Sequence, residues 1–279
     1  MEYVNDHSLV ASIRDVLKSL IFDGTGRLIG RLGNSEMAGI KYAEEEGRFS
    51  PNTIRILRIG PGVYSKNYAD SEKEAESWAV KYMESITMCD AVTMPSIYLK
   101  NKTKIYPPTC VRIDIESFDP ELLLPLLSGL KVLVVSPFEK TLRKQFKIKD
   151  KLFDFEYPDF ELKIVKSFYS TKGNEPHSGW TETYEILSSA IQAEEFDVAI
   201  LGCGGYGMPL ASVIKKMGKV AICAGGFTVA YFGIKYKRIV EQNKERGWHE
   251  KYIHNENWIF PLEEDKPEMP LAIEGGCYF

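Results

Sequence analysis

The chain is short of the features that mark several functional classes. Its five cysteines, Cys89, Cys110, Cys203, Cys223 and Cys277, are odd in number and scattered, with no C-x-x-C pair. Four histidines add no H-x-x-x-H pair, so zinc-site and dithiol redox motifs are missing. No apolar run approaches the length of a membrane span. The N-terminal MEYVNDHSLVASIRD carries acids where a signal peptide needs basic charge. Net charge is −4 over 279 residues, which gives the whole chain no electrostatic basis for binding nucleic acid. Neither internal repeats nor a low-complexity linker interrupts it. The expectation is a single α/β domain spanning 1–279, with an irregular tail over about 248–279 and reduced, mostly buried thiols in a bacterial-type cytoplasm.

What is present centres on residues 196–238, which read as a β-α-β-α unit with a glycine-rich turn after each strand. Phe196–Leu201 is a short apolar run of the kind a buried parallel strand shows. Gly202, Gly204, Gly205 and Gly207 follow, and Pro209 stands where a first helical turn tolerates proline. Leu210–Met217 has helical periodicity, Lys219–Ala224 is a second strand, and Gly225-Gly226 repeats the turn. Bare N–H groups at two strand ends, facing a helix start, suit an anionic or sugar-like ligand. Gly202, Gly204 and Gly207 also satisfy G-x-G-x-x-G, the dinucleotide fingerprint. That motif needs an acid at the end of the second strand, where this chain has Cys223-Ala224-Gly225-Gly226.

Earlier in the chain, 7–22 places Leu9, Ile13, Val16, Leu17 and Leu20 on one helical face. Arg27–Leu32 reads as a strand, and a helix opens at Gly33-Asn34-Ser35-Glu36, with Asn34 or Ser35 as N-cap. Residues 50–69 look like an irregular connection, and Ser71–Met88 a helix built on Trp78, Tyr82 and Ile86. Strands are expected at Asp90–Met94, Lys131–Val135 and Leu162–Ser167, and Thr109–Ile115 is a further candidate strand. A leucine-rich helix follows Asp119-Pro120, a basic one runs to Lys149, and another starts at Trp180. The acidic, aromatic stretch 150–161 is expected to cover an edge. The whole predicts a Rossmann-like, mostly parallel sheet with helices on both faces.

Arg31-Leu32-Gly33-Asn34-Ser35-Glu36 resembles the R-F-G-D-G-E segment of the GT-D-type glycosyltransferases. The later blocks S-P-F-E, G-W-T-E-T, G-C-G-G-Y-G-M-P-L, F-G-I-K-Y-K-R and E-G-G-C-Y-F look like GT-D-like proteins of bacterial surface-polysaccharide loci. The resemblance implies a Rossmann-like domain that binds a nucleotide-sugar and transfers the sugar to a saccharide or lipid-linked acceptor. It implies a cytoplasmic enzyme, peripheral at most to the inner membrane face, and leaves homo-oligomerisation open. In that family the D-x-E carboxylates help hold a divalent cation and the sugar nucleotide. Here they fall on Glu36 and on Asn34, whose amide brings no charge, so a Mn²⁺ or Mg²⁺ site at Glu36 and Asn34 is expected to be weak or absent. Arg31, Lys235, Lys237 and Arg238 can supply cations instead, with the diphosphate across Gly33, the turn Gly204, Gly205, Tyr206, Gly207, and Gly225–Gly226.

Transfer to a hydroxyl needs a general base. Glu182, Glu274 and His177 are candidates, each equally able to be a cap, an ion-pair partner or solvated loop, and Glu36 is the third acid at the site. Trp180, Tyr206 and Phe227 flank the expected mouth and suit either stacking or packing. The basic helix from Thr141 to Lys151 is a solvated face or a contact for an anionic lipid-linked acceptor. Two other classes remain open on the residues alone: a non-catalytic nucleotide- or sugar-binding protein, and an NAD-dependent oxidoreductase.

Overall fold

Apolar runs bounded by glycine or charge become strands of one sheet. In the computed structural model, which describes residues 7–93, 106–171, 173–241, 249–273 and 275–279, these are β1 (Arg27–Arg31), β2 (Ala91–Thr93), β3 (Val111–Arg112), β4 (Lys131–Ser136), β5 (Glu161–Lys166), β6 (Val198–Leu201) and β7 (Val220–Cys223). All seven are parallel, in the order β3-β2-β1-β7-β6-β4-β5. The expected Rossmann-like α/β class is therefore what the chain adopts.

The helices divide by face because parallel crossovers turn one way. From β1 the chain moves outward through α1's successors α2 (Asn34–Glu46), α3 (Pro51–Ile59) and α4 (Ser71–Thr87), with α1 (His7–Phe22) preceding the sheet. The β4–β5 crossover uses α5 (Glu139–Phe146) and moves the opposite way along the sheet. α6 (Trp180–Gln192) and α7 (Gly207–Lys216) bring the chain back to β6 and β7. One core layer holds Met37, Leu57, Trp78, Leu187 and Leu210 against Leu133, Ala199 and Ala221. The other holds Leu17, Leu127, Leu142, Phe232 and Trp258 against Val132, Ile200 and Ile222. Alternation along β4 and β6 between the two layers is the period-2 consequence of a strand buried on both faces.

Several local expectations change. Residues 51–59 form α3 because Ser50 caps it, its Oγ accepting from Thr53 N at 3.3 Å, and Pro51 occupies the first turn. The cap of α2 is Gly33, not Asn34 or Ser35, and it makes no side-chain bond. The second glycine turn enters a 3₁₀ helix, Gly225–Phe232, rather than an α-helix, and Gly233 at φ 63° ends it. In 150–161, Phe153, Tyr157 and Phe160 are core residues, Phe153 packing edge-on to Tyr252 and Trp258. All five cysteines are buried and none forms a disulfide. Among the described residues no helix is long and apolar enough to cross a membrane.

The irregular tail is tied to α5 by a remote cap. Asp265, buried, accepts from Lys140 N at 3.1 Å and from Thr141 N and Oγ1, each at 2.6 Å. An N-terminal helix turn leaves such N–H groups unsatisfied, and a carboxylate there also meets the positive end of the helix dipole. Asp265→Ala is expected to lower the unfolding free energy by about 2 kcal/mol, the scale of charged hydrogen bonds. Asp265→Asn is expected to lose less, and urea unfolding of the two variants beside the unmodified chain checks the order.

Candidate functional site

Where neighbouring strands send their next segments to opposite faces, their carboxyl ends part and leave a crevice. β1 and β6 run into α2 and α7 on one face, while β7 and β4 lead to the other. The resulting cavity has a volume of about 340 Å³, within the usual range for small-molecule sites. Arg31, Gly33, Asn34 and Glu36 line it after β1, Gly202–Gly204 after β6, and Gly225–Phe227 after β7. Phe138 enters from the β4 end and Phe168–Thr171 from the β5 end. Tyr82 of α4 and the segment Gly60–Gly62 close one side, and Tyr236, Arg238, Ile273 and Tyr278 the other.

The charged groups are few and close-set. Glu36 is half-buried at the start of α2, and its carboxylate folds back over Gly33 so tightly that any Cβ there would overlap it. Burial pushes the Glu36 carboxyl above its ordinary range, while its own backbone N–H, Arg31 and Arg238 draw it back down. The Arg31 guanidinium lies 4.7 Å from the Phe227 ring centroid, a cation–π geometry. It also reaches Gly225, where a Cβ would sit 2.8 Å from Nη1 and where φ is +57°. Both conditions call for glycine at 225. Burial raises the Cys223 thiol to about 12, with Arg31 opposing, and raises Cys203 as well, so both thiols lining the cavity are neutral.

Arg238 binds the tail as well as facing Glu36. Its N–H donates to Cys277 O at 3.1 Å, and its Nη2 lies 3.3 Å from Cys277 Sγ. The adjacent Tyr278 packs 5.4 Å from Tyr236 and 5.6 Å from Phe138, ring centre to ring centre. The irregular tail thus forms part of the cavity wall.

Of the residues singled out from sequence, Arg31, Gly33, Asn34, Glu36, Gly204, Gly226, Phe227 and Arg238 come together here. Gly205, Tyr206 and Gly207 do not line the cavity. Gly205 N donates to Pro61 O at 2.8 Å and Gly205 O accepts from Trp78 Nε1 at 3.1 Å, so that turn's polar groups serve the packing of α3 and α4. Tyr206 stacks on Trp180, 5.4 Å apart and 3° from parallel, with both rings buried. Gly207 begins α7 against Cys223 Sγ. Lys235 stands outside the lining, its backbone N–H bonded to Ile259 O at 2.7 Å.

Glu182 is exposed and does not line the cavity, accepting from Ser178 N at 2.9 Å and Ser178 Oγ at 2.5 Å. Those bonds hold its carboxyl below the ordinary range, the opposite of what a resting general base needs. His177 Nδ1 lies 3.0 Å from Thr183 Oγ1, off the cavity, and Glu274 lies outside the described residues. Tyr82, Phe168 and Tyr169 join the site without any motif to announce them, whereas Phe138, Tyr236 and Tyr278 stand in the S-P-F-E, F-G-I-K-Y-K-R and E-G-G-C-Y-F blocks. Gly60-Pro61-Gly62 was a further signal, a break that allows close backbone approach.

The donor set at Glu36 and Asn34 does not fit a divalent cation. It offers one carboxylate whose charge two guanidiniums already offset, plus one neutral amide. Among the described residues no group of three or more His, Cys, Asp or Glu converges elsewhere. A dinucleotide does not fit well either: the Gly205 N–H is committed to Pro61, and Arg31 reaches the second-strand turn where a ribose-binding acid would stand. No protein-family model, curated protein or solved structure matches the chain.

The raised Glu36 carboxyl makes stability depend on pH. A carboxyl raised above its unfolded value of 4.5 contributes stability below that pH, and loses it as pH rises through the folded value. Glu36→Gln, which stays neutral, is therefore expected to gain melting temperature relative to the unmodified chain as pH rises above 4.5. A differential of about 1 kcal/mol reads as roughly 2–4 °C in a chain of this size. Parallel thermal melts across pH check the trend; a difference that does not grow with pH contradicts it.

Proposed function

We propose that the chain is a nucleotide-sugar-dependent glycosyltransferase that binds the donor diphosphate with arginines rather than with a metal ion. The observation that carries this reading is the meeting of Arg31, Arg238 and the raised carboxyl of Glu36 in one aromatic-lined cavity at the strand ends. Guanidinium groups recognise phosphate oxygens through paired N–H bonds and keep their charge at any working pH. Phe227 beneath Arg31 and Phe138 beside Tyr278 offer flat apolar surface to a base or sugar ring.

In this reading Glu36 takes the proton of an acceptor hydroxyl as that oxygen bonds to the anomeric carbon. The bond from the anomeric carbon to the diphosphate oxygen breaks, and its electron pair leaves with the nucleoside diphosphate. Arg31 and Arg238 stabilise the charge that develops there. A carboxyl raised by burial is a better base once ionised than an ordinary one, which is what proton abstraction near neutral pH requires. The resemblance of the Arg31–Glu36 segment to GT-D enzymes assigns the same region to the donor and suggests a role in surface-polysaccharide assembly.

A thermal-shift series with UDP-, GDP-, CMP- and dTDP-sugars, each with and without Mn²⁺, tests the reading. A donor at a hundred times its dissociation constant adds about 2.7 kcal/mol of stability. One nucleotide class is expected to raise the melting temperature, and Mn²⁺ to leave that rise unchanged. Arg31→Met keeps the stem packed on Phe227 and removes the charge. It is expected to weaken the donor about ten- to a hundredfold, as loss of one charged contact does. Glu36→Gln is expected to keep the donor shift while turnover falls about 10²- to 10⁴-fold. Donor binding without turnover in the unmodified chain would point instead to a non-catalytic nucleotide-sugar-binding protein.

A further inference from the structure

A second depression, of about 380 Å³, adjoins the first, and Phe168 and Tyr169 line both. It lies at the end of β5, the edge strand, between the loop that follows β5 and the tail around 264–268. The shared wall is held in place. Tyr169 Oη donates to Asp265 O at 2.8 Å, its ring meets Phe138 edge-on at 5.9 Å, and Phe168 meets the His177 ring edge-on at 4.8 Å. Beneath the wall, Ser167 is 1% exposed and its hydroxyl has no hydrogen-bond partner among the described residues. A buried hydroxyl left unpaired costs about 1–3 kcal/mol, and Ser167 is among the residues that line this depression.

The two depressions differ in charge. The first presents Arg31 and Arg238 with Glu36. In the second, the Asp265 carboxylate is bound in the α5 cap, Glu175 pairs with Arg58 at 2.6 Å and Lys266 pairs with Glu263, which leaves Glu264 and Glu268 against Lys166. A net negative surface repels phosphate and carboxylate, whereas carboxylates accept hydrogen bonds from sugar hydroxyls, and aromatic walls pack against sugar rings.

We infer that this second depression is the acceptor subsite and that it receives an uncharged saccharide, placed across the Phe168–Tyr169 wall from the donor. The inference rests on the nucleotide-sugar reading of the first cavity for the word acceptor. The binding of an uncharged sugar to the groove stands separately.

The test uses the full chain and four probes: p-nitrophenyl glycosides of glucose, galactose, N-acetylglucosamine and glucuronic acid, with p-nitrophenol as control. Titrations by saturation-transfer NMR are run without nucleotide, so they decide the groove independently of the donor. At least one neutral glycoside is expected to bind more tightly than p-nitrophenol and more tightly than the glucuronide. Glu264 and Glu268 are exposed, so charge reversal there leaves the core intact. E264K/E268K is expected to weaken the neutral glycoside about tenfold and to narrow or reverse its advantage over the glucuronide. The nucleotide-dependent thermal shift is expected to be unchanged in that variant. The proposal is overturned if no neutral glycoside binds better than p-nitrophenol, if the glucuronide binds best, or if charge reversal changes nothing. Absence of any nucleotide shift in the unmodified chain would instead defeat the donor reading and leave the glycoside result to speak for the groove alone.

Discussion

Three short strands with both faces buried set the terms for everything else. Arg27–Arg31, Val198–Leu201 and Val220–Cys223 lie side by side, and no side chain of the last two is exposed to solvent. Strands with no solvated face must be covered by helices on both sides, and parallel pairing with right-handed crossovers is the way one chain supplies that cover. The crevice at their carboxyl ends follows from that cover, since adjacent strands feed helices on opposite faces. Polar chemistry is therefore confined to the few residues that emerge from this apolar frame. Arg31 is the last residue of its strand, and Gly202 and Gly225 follow theirs within two positions. The site is a by-product of how the sheet is covered.

Within the crevice, space is rationed by contact rather than by turn geometry alone. Gly33 is needed because the Glu36 carboxylate occupies the place of its side chain, and Gly225 because Arg31 does the same from the other side. Each charged group thus presses against a backbone that carries no Cβ. This brings a carboxylate and a guanidinium into a small apolar volume where their mutual field is strong, and it explains why burial and the two arginines pull the Glu36 carboxyl in opposite directions. Adding a divalent cation to this arrangement would set like charge beside Arg31 and Arg238.

Much of this was legible in the sequence, for reasons that differ by element. Strand runs such as Val198–Leu201 stand out because continuous apolar residues between acids and glycines have few other uses. Arg31 and Glu36 were legible because charge at the end of an apolar strand demands a partner. The helix at 51–59 carried its own signal in Ser50-Pro51, but the basic residues Arg55 and Arg58 diluted its apolar periodicity. The G-x-G-x-x-G string misled in the opposite sense. It announces a phosphate cradle, yet Gly205 spends its N–H on Pro61, a partner 144 positions away that no local pattern encodes. The cap Asp265 was illegible for the same reason: it acts through a contact with a distant segment, from a tail with no periodicity of its own, while Tyr236 and Tyr278 stood in quoted blocks that did not show which segment each packs on.

That tail changes what kind of object the site is. A cavity made only of strand ends would be open above the sheet. Here Tyr278 packs on Phe138 and Tyr236, Arg238 is fastened to Cys277, and Asp265 both caps α5 and accepts from Tyr169 through its carbonyl. The same polypeptide segment therefore stabilises the β4–β5 crossover, walls the cationic cavity, and supplies the acids of the adjoining groove. Because one segment touches all three, the separation of charge between the two depressions is built into the fold and does not depend on either ligand. An anion is drawn to the arginine side and disfavoured beside Glu264 and Glu268, so the two depressions offer unlike surroundings.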